Sequence, residues 1–225
     1  MLKLFLCIAG ALLNIALNML CTKFGIPLYM DTVLTVSVTF GCGLFWGALT
    51  GALTNLIGHT LQFWGWEGYL FALCNIATAF ITYLFMRFFP KELTRAISRG
   101  RDTGQAAPRS SLTGIFPNSF RLSGVMDRVI ILILLSFSLC ITMSVLGGLL
   151  TYLIQVIRDT SENNPASVVL GSTMFSQTLP PIFVEILSRI PINIIDRLLT
   201  AFSGYGIALL GASFPLTNQV SKVKL

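Results

Sequence analysis

Long apolar runs, interrupted only by single polar side chains, constrain the fold of this chain more than any other feature. Of its 225 residues, 54% are hydrophobic and only 11% are charged, and the mean hydropathy is +0.80. This composition is typical of a polytopic membrane protein and excludes a soluble globular domain. The polar stretch from about residue 90 to 128 is too short to form a core of its own. We therefore expect a single transmembrane domain over residues 1–225.

A membrane-spanning helix needs about 20 mostly apolar residues, and the apolar runs predict six such helices. The predicted spans are residues 2–20, 29–45, 47–63, 69–89, 129–157 and 192–214. Pro191 is expected to begin the last span, and Pro180-Pro181 opens a separate apolar segment, 182–190, which we expect to be a half-helix or an interfacial helix. The predicted fold class is an all-α polytopic membrane protein, a bundle of about six transmembrane helices.

The charged residues predict the orientation of this bundle. Between residues 87 and 128 the chain holds eight Lys and Arg residues against three Asp and Glu. Cytoplasmic loops carry such an excess, so we expect both termini and the basic loop at 90–128 in the cytoplasm, with the chain crossing the bilayer of the cell membrane several times. The net charge of +6 then reflects topology and not nucleic-acid binding. The loop is expected to be a disordered linker, and a surface for docking a partner protein is the alternative.

Polar side chains from four segments fall at a similar depth in this topology. They are Asp31, Asn55, His59, Gln62, Glu67, Asn75, Glu185, Asn193, Asp196 and Arg197. Such groups are costly in lipid, and they usually face the interior of a bundle or a cavity. We therefore predict a substrate-binding cavity that opens to the outside. For Asp196 and Arg197, a structural ion pair is the alternative.

One face of the predicted third span carries a regular stripe. Gly43, Gly47, Gly51, Asn55 and His59 recur every four residues, so they follow one side of a helix. The glycines allow another helix to approach closely, whereas Asn55 and His59 can form hydrogen bonds. The stripe thus predicts packing at one end and binding at the other, and plain helix packing is the alternative.

The sequence predicts no catalytic or metal site. His59 is the only histidine, and no metal-ligand spacing accompanies it; a hydrogen bond to substrate and a structural hydrogen bond both remain open for it. The chain has no HExxH, GxSxG or P-loop motif. We expect no enzyme activity and no cofactor, so any ATP hydrolysis belongs to a partner.

Three runs of sequence resemble a known family. These are GIPLYMDTVLT at 25–35, GALTGALTNLI at 47–57 and PINIIDR at 191–197. They are similar to the membrane-embedded substrate-binding subunits, or S components, of energy-coupling factor transporters, which are ABC importers. The chain length, the six predicted spans and the cytoplasmic termini agree with this resemblance, which covers most of the chain.

The resemblance implies the function and the partners. It implies a subunit that binds a vitamin or related micronutrient near the outer face and delivers it with a transmembrane coupling protein and two cytoplasmic ATPases. Docking in the family uses small residues on the first helix, often in an AxxxA pattern. A strict AxxxA does not occur here, and the small-residue face comprises Cys7, Gly10, Ala11 and Asn14. Trp66 is a candidate stacking residue for the substrate, with anchoring at the membrane interface as its alternative.

Two other functions compete with the importer subunit. The first is a membrane sensory or scaffold module that transports nothing, and the second is an intramembrane enzyme or ion-coupled carrier. The predicted site combines acidic, basic, amide and aromatic groups, which suits a small polar or zwitterionic ring compound. It does not choose among thiamine-like, flavin-like, pteridine-like and corrinoid molecules.

Overall fold

The computed structural model describes residues 1–61, 66–90, 93, 124–158 and 180–213, and its regular structure there is entirely helical. Most of the basic loop at 90–128 lies outside the described residues. The elements are α1 (Leu2–Lys23), α2 (Val33–Cys42), α3 (Leu44–Leu61), a 3-10 helix (Trp66–Phe71), α4 (Ala72–Phe88), α5 (Gly124–Arg158) and α6 (Pro181–Ser213).

Within the described residues, three stretches of helix are long and apolar enough to cross a membrane. They are Leu2–Lys23, Glu67–Phe88 and Val125–Ile157. The prediction of an all-helical protein with membrane-spanning segments is confirmed at this level. Which of the other predicted helices cross the membrane, and the cytoplasmic placement of the termini, stay predictions.

The predicted second span is wrong in its length, because α2 is a short helix at the centre of the bundle. At 1.5 Å per residue, its 10 residues cover about 15 Å, half of the hydrocarbon thickness of about 30 Å. Every residue from 33 to 40 is buried, and α2 packs against α1, α3, α4 and α6. The residues before it, 24–32, form a non-helical connection from α1.

The predicted break at Pro191 is also wrong, because α6 runs through this residue as one helix of 33 residues. Proline removes one backbone hydrogen bond from a helix, and membrane helices tolerate this loss where neighbouring groups take up the freed backbone. Here α5 packs along α6 and contacts it beside Pro191, where the Cys140 thiol lies 3.8 Å from the carbonyl oxygen of Ile190; the carbonyl that the proline frees is that of Leu187. The half-helix and the last predicted span are therefore parts of one element.

The bundle has an apolar half and a polar half. Val36, Phe40, Leu135, Leu139 and Tyr205 form the centre of a hydrophobic core between α2, α5 and α6, where the rings of Phe40 and Tyr205 meet edge to face at 5.2 Å. The beginning of α2 lies at the other end of this core. Charged side chains from the connection before α2 and from α6 converge there with an amide from α4, and this is the location of the candidate site.

The glycine stripe of α3 packs against two different helices. A Cβ on Gly47 would lie 3.0 Å from the Thr39 Cα of α2, and a Cβ on Gly51 would lie 2.9 Å from the Asn75 carbonyl oxygen of α4. Both distances leave no room for a side chain. Close helix packing, one of the two interpretations of this stripe, is therefore confirmed for Gly47 and Gly51, whereas Gly43 lies between α2 and α3 and a Cβ there would meet nothing within 4 Å.

Gly51→Ala is expected to lower the free energy of unfolding by about 1–3 kcal/mol. The added methyl group would meet the backbone of Asn75, which cannot move aside as a flexible side chain can. Gly206→Ala is the matched control, because a Cβ at this helical glycine meets nothing within 4 Å and alanine favours the helix. Thermal unfolding in detergent measures both variants, and equal melting temperatures would contradict the close approach of α3 and α4.

Candidate functional site

Four of the predicted site residues meet in one buried group, which we call the ionic cluster: Asp31, Asn75, Asp196 and Arg197. Asp31 lies in the connection before α2, Asn75 lies in the first turn of α4, and the other two lie halfway along α6. Asn75, Asp196 and Arg197 expose 2%, 0% and 4% of their surface. Sequence elements that are far apart thus contribute to one site.

Asp196 holds the connection before α2 in place. Its Oδ1 accepts hydrogen bonds from the backbone N–H groups of Tyr29 at 3.1 Å and Met30 at 2.9 Å. Met30 has a φ of 47°, a conformation that non-glycine residues rarely adopt. The carboxylate therefore stabilises a strained turn that brings Asp31 and Thr32 to α6.

Arg197 links the two carboxylates of the cluster. Its Nη2 lies 2.8 Å from Asp196 Oδ2 and 3.9 Å from Asp31 Oδ1, and its Nη1 donates a short hydrogen bond to the Thr32 hydroxyl. Asn75 Nδ2 donates to the second oxygen of Asp31 at 3.1 Å.

Several polar atoms of this region have no hydrogen-bond partner within the described part of the chain. They are Asp31 Oδ1, Arg197 Nε, the hydroxyl of Thr200, which lies one turn after Asp196, and Asp196 Oδ2, whose contact with the guanidinium at 2.8 Å is an ion pair without a hydrogen bond. Other buried threonine hydroxyls in the helices, such as that of Thr82, donate to the carbonyl four residues earlier. Buried polar groups are nearly always paired, so the cluster has hydrogen-bonding capacity that its own residues leave unused.

A second set of polar contacts, which we call the polar row, continues along α5 and α6. Gln155 Nε2 donates to Glu185 Oε1 at 3.1 Å, Arg189 donates to the Thr151 hydroxyl, and Asn193 Nδ2 donates to Ser144 Oγ at 2.9 Å. The Arg189 guanidinium also lies over the Phe71 ring, 6.0 Å from its centroid. Glu185 and Asn193 therefore precede the ionic cluster along α6 and lie on the same side of this helix.

The polar row includes Arg189, which the sequence analysis did not predict. Residues 185, 189, 193 and 197 are spaced by four, which places them along one side of a helix. The expected break at Pro191 divided this series into two unrelated segments. With one continuous helix predicted across Pro191, the spacing would have placed these four residues on one side and identified Arg189.

Other predicted site residues lie at the junction of α3 with the 3-10 helix. Asn55 Nδ2 donates to the Phe71 carbonyl at 3.3 Å, and the His59 ring lies edge to face with Tyr69 at 6.2 Å. Glu67 is buried in the same region. Gln62 and the side chain of Trp66 lie outside the described residues.

The small-residue face of α1 is inside the bundle. Cys7, Gly10, Ala11 and Asn14 are all buried, and Asn14 Nδ2 donates to the hydroxyls of Thr35 of α2 and Thr54 of α3 at 3.2 Å each. This placement does not fit the expected docking role, because a partner helix cannot reach these residues. The surface that α1 presents outward carries large apolar side chains, namely Leu4, Phe5, Ile8 and Leu12.

The described residues show a closed cluster where we expected an open cavity. A shallow groove between α5 and α6, too small to hold a water molecule, lies elsewhere, and its lining is mainly apolar: Ser136, Phe137, Cys140, Ile194 and Leu198. Asp31 is the one member of the ionic cluster with a partly exposed side chain, at 21%. The exposed edge of the cluster is therefore the connection before α2.

Within the described ranges, no group of three or more His, Cys, Asp and Glu side chains is placed to hold a metal ion. No protein-family model, curated protein or solved structure matches the chain. The geometry of the ionic cluster and the polar row is thus the main guide to function.

Proposed function

We propose that this chain is the membrane-embedded substrate-binding subunit of an energy-coupling factor type importer. In this proposal it binds a vitamin or related micronutrient at the ionic cluster, and a transmembrane coupling protein with two cytoplasmic ATPases drives delivery into the cell. The observation that carries the proposal is the unused hydrogen-bonding capacity of a buried, charged cluster built from three separate segments.

The energetic cost of the cluster supports a binding role. Each buried ion loses several kcal/mol of hydration, and apolar side chains of similar volume often serve stability equally well. In membrane proteins, ionisable residues within the bundle commonly mark substrate or ion pathways. Asp31 Oδ1, Arg197 Nε and the Thr200 hydroxyl are left without hydrogen-bond partners among the described residues, so stability alone is a poor reason to keep them.

The connection before α2 offers a route to the cluster. It carries the partly exposed Asp31, and two backbone hydrogen bonds to Asp196 hold it against α6. In the proposal, release of Tyr29 and Met30 from Asp196 opens the cluster to a small molecule. Closure over the bound molecule then restores these bonds and shields the charges.

One observation favours the second candidate, a sensory or scaffold module. The cluster is closed in the described residues, as expected for a polar network that only fixes the packing of the helices. In that case the chain would bind no small molecule, and it would associate with a signalling protein in place of ATPases.

Affinity purification from the chain's own membranes separates the two functions. The importer subunit is expected to bring down a membrane coupling protein and two P-loop ATPases in fixed stoichiometry. Cells that lack the chain should then lose uptake of one micronutrient. A purified chain without ATPases, together with unchanged uptake across a vitamin panel, would overturn the proposal in favour of the sensory or scaffold module.

A further inference from the structure

The ionic cluster carries more negative than positive charge. The charged side chains that contact one another there, within the described residues, are Asp31, Asp196 and Arg197. Two carboxylates against one guanidinium leave a formal excess of one negative charge. Asp196 and Arg197 are 0% and 4% exposed, and although the Asp31 side chain is 21% exposed, its Oδ1 is buried, so water does little to compensate the charge at this atom.

The distances show which carboxylate is left uncompensated. Asp196 receives two backbone N–H groups and the guanidinium at 2.8 Å. Asp31 receives the amide of Asn75 and its own backbone N–H, and its Oδ1 lies 3.9 Å from Arg197 with no hydrogen-bond partner among the described residues. An uncompensated buried charge is strongly unfavourable, so Asp31 Oδ1 is the atom that a cation would satisfy best.

Two further buried groups define what else the bound molecule must offer. Arg197 Nε is a donor without an acceptor, and the Thr200 hydroxyl, on a residue that is 0% exposed, has no partner among the described residues. The guanidinium itself connects Asp31 to Asp196, so its Nε belongs to the same cluster. A molecule that binds here needs a cationic donor for Asp31 and can use an acceptor beside it.

We propose that the ionic cluster selects a small organic cation, in which a protonated nitrogen binds Asp31 and a neighbouring acceptor faces Arg197. This inference rests on the proposed binding function and adds its substrate class. Neutral and anionic molecules of the same shape would leave the excess negative charge in place. An anion would also be repelled by the two carboxylates.

Matched sets of small molecules test the charge preference directly. Pyridoxamine, pyridoxine and 4-pyridoxate carry an amine, an alcohol and a carboxylate on one ring, and tryptamine, tryptophol and indole-3-acetate form a second set. Binding to the full-length protein in nanodiscs is measured by calorimetry and by the shift in melting temperature. Within at least one set, the amine is expected to bind about 10- to 100-fold more tightly than the alcohol, the scale of a charged hydrogen bond.

Asp31→Asn is expected to abolish the preference for the amine. It removes the excess negative charge, so the ligand-free variant should melt at the same or a higher temperature than the parent. Asp127→Asn is the matched control, because Asp127 lies in the first turn of α5, far along the chain from the cluster, and it should keep the preference. A large loss of melting temperature in ligand-free Asp31→Asn would show that the carboxylate serves the fold, and it would overturn the inference.

The remaining outcomes separate this inference from the function on which it rests. Binding of the alcohol or the carboxylate as tightly as the amine would overturn the cationic class and leave a substrate-binding subunit in place. Binding of no amine in either set would also overturn the class as stated. The proposed function is tested separately. It fails if the chain co-purifies with no ATPase and if cells that lack the chain show unchanged uptake of every vitamin tested.

Discussion

Arg197→Met is expected to destabilise the protein more than any other single substitution, by about 3–5 kcal/mol. The change removes the only cation that contacts Asp196 and Asp31 within the described structure and leaves two buried carboxylates facing each other. Because proteins are stable by only about 5–15 kcal/mol, most of this chain should fail to fold or should melt at a much lower temperature. Thermal unfolding in detergent and the yield of monomeric protein measure the effect.

Two further variants make this expectation specific to the charges. Arg87→Met changes an exposed arginine at the end of α4 and should alter stability by less than about 0.5 kcal/mol. Arg197→Met combined with Asp196→Asn should recover part of the loss, since one of the two carboxylates is then neutral. If Arg197→Met were as stable as the parent, the charges would not be buried together.

Asp196→Ala has the second largest expected effect, and it acts on the connection before α2. Without the carboxylate, the N–H groups of Tyr29 and Met30 lose their acceptor, and Arg197 loses its closest counter-charge. We expect a loss of about 2–5 kcal/mol in stability and at least a 100-fold loss in substrate affinity, the factor for about 3 kcal/mol.

Amide hydrogen exchange distinguishes this local effect from general destabilisation. In Asp196→Ala, exchange at Tyr29 and Met30 should rise sharply, while exchange in the apolar core around Leu135 and Leu139 should change only as far as overall stability falls. Asp127→Ala is the control and should change neither region. Uniform acceleration across both regions would contradict the assignment of Asp196 as the group that holds this connection.

The apolar runs predicted the helical fold well, because hydrophobic length is a direct requirement of the bilayer. They did not predict where helices begin and end inside the bundle. The run 29–45 is apolar enough for a span, yet α2 begins at Val33 and ends at Cys42, and α3 begins at Leu44. The carboxylate of Asp196 holds Tyr29 and Met30 in a turn, and such a contact across more than 160 residues is invisible in local sequence.

The same limit applies to the candidate site. Polarity within apolar segments singled out ten residues as a candidate site, and four of them, Asp31, Asn75, Asp196 and Arg197, meet in one cluster. It gave no reason to include Thr200, because a threonine in a helix usually satisfies its own hydroxyl. The spacing of small residues on α1 also suggested a docking role for residues that are buried in the bundle. Spacing alone cannot tell whether a small-residue face contacts a partner protein or a helix of the same chain.

Native mass spectrometry of the protein purified from its own membranes tests the proposed function most directly. The bound molecule is released, identified and counted against the protein. We predict one vitamin or precursor per chain, lost in Asp196→Asn and retained in Asp127→Asn. An empty protein whose melting temperature also fails to shift across a vitamin panel would contradict a substrate-binding subunit and favour the sensory or scaffold module.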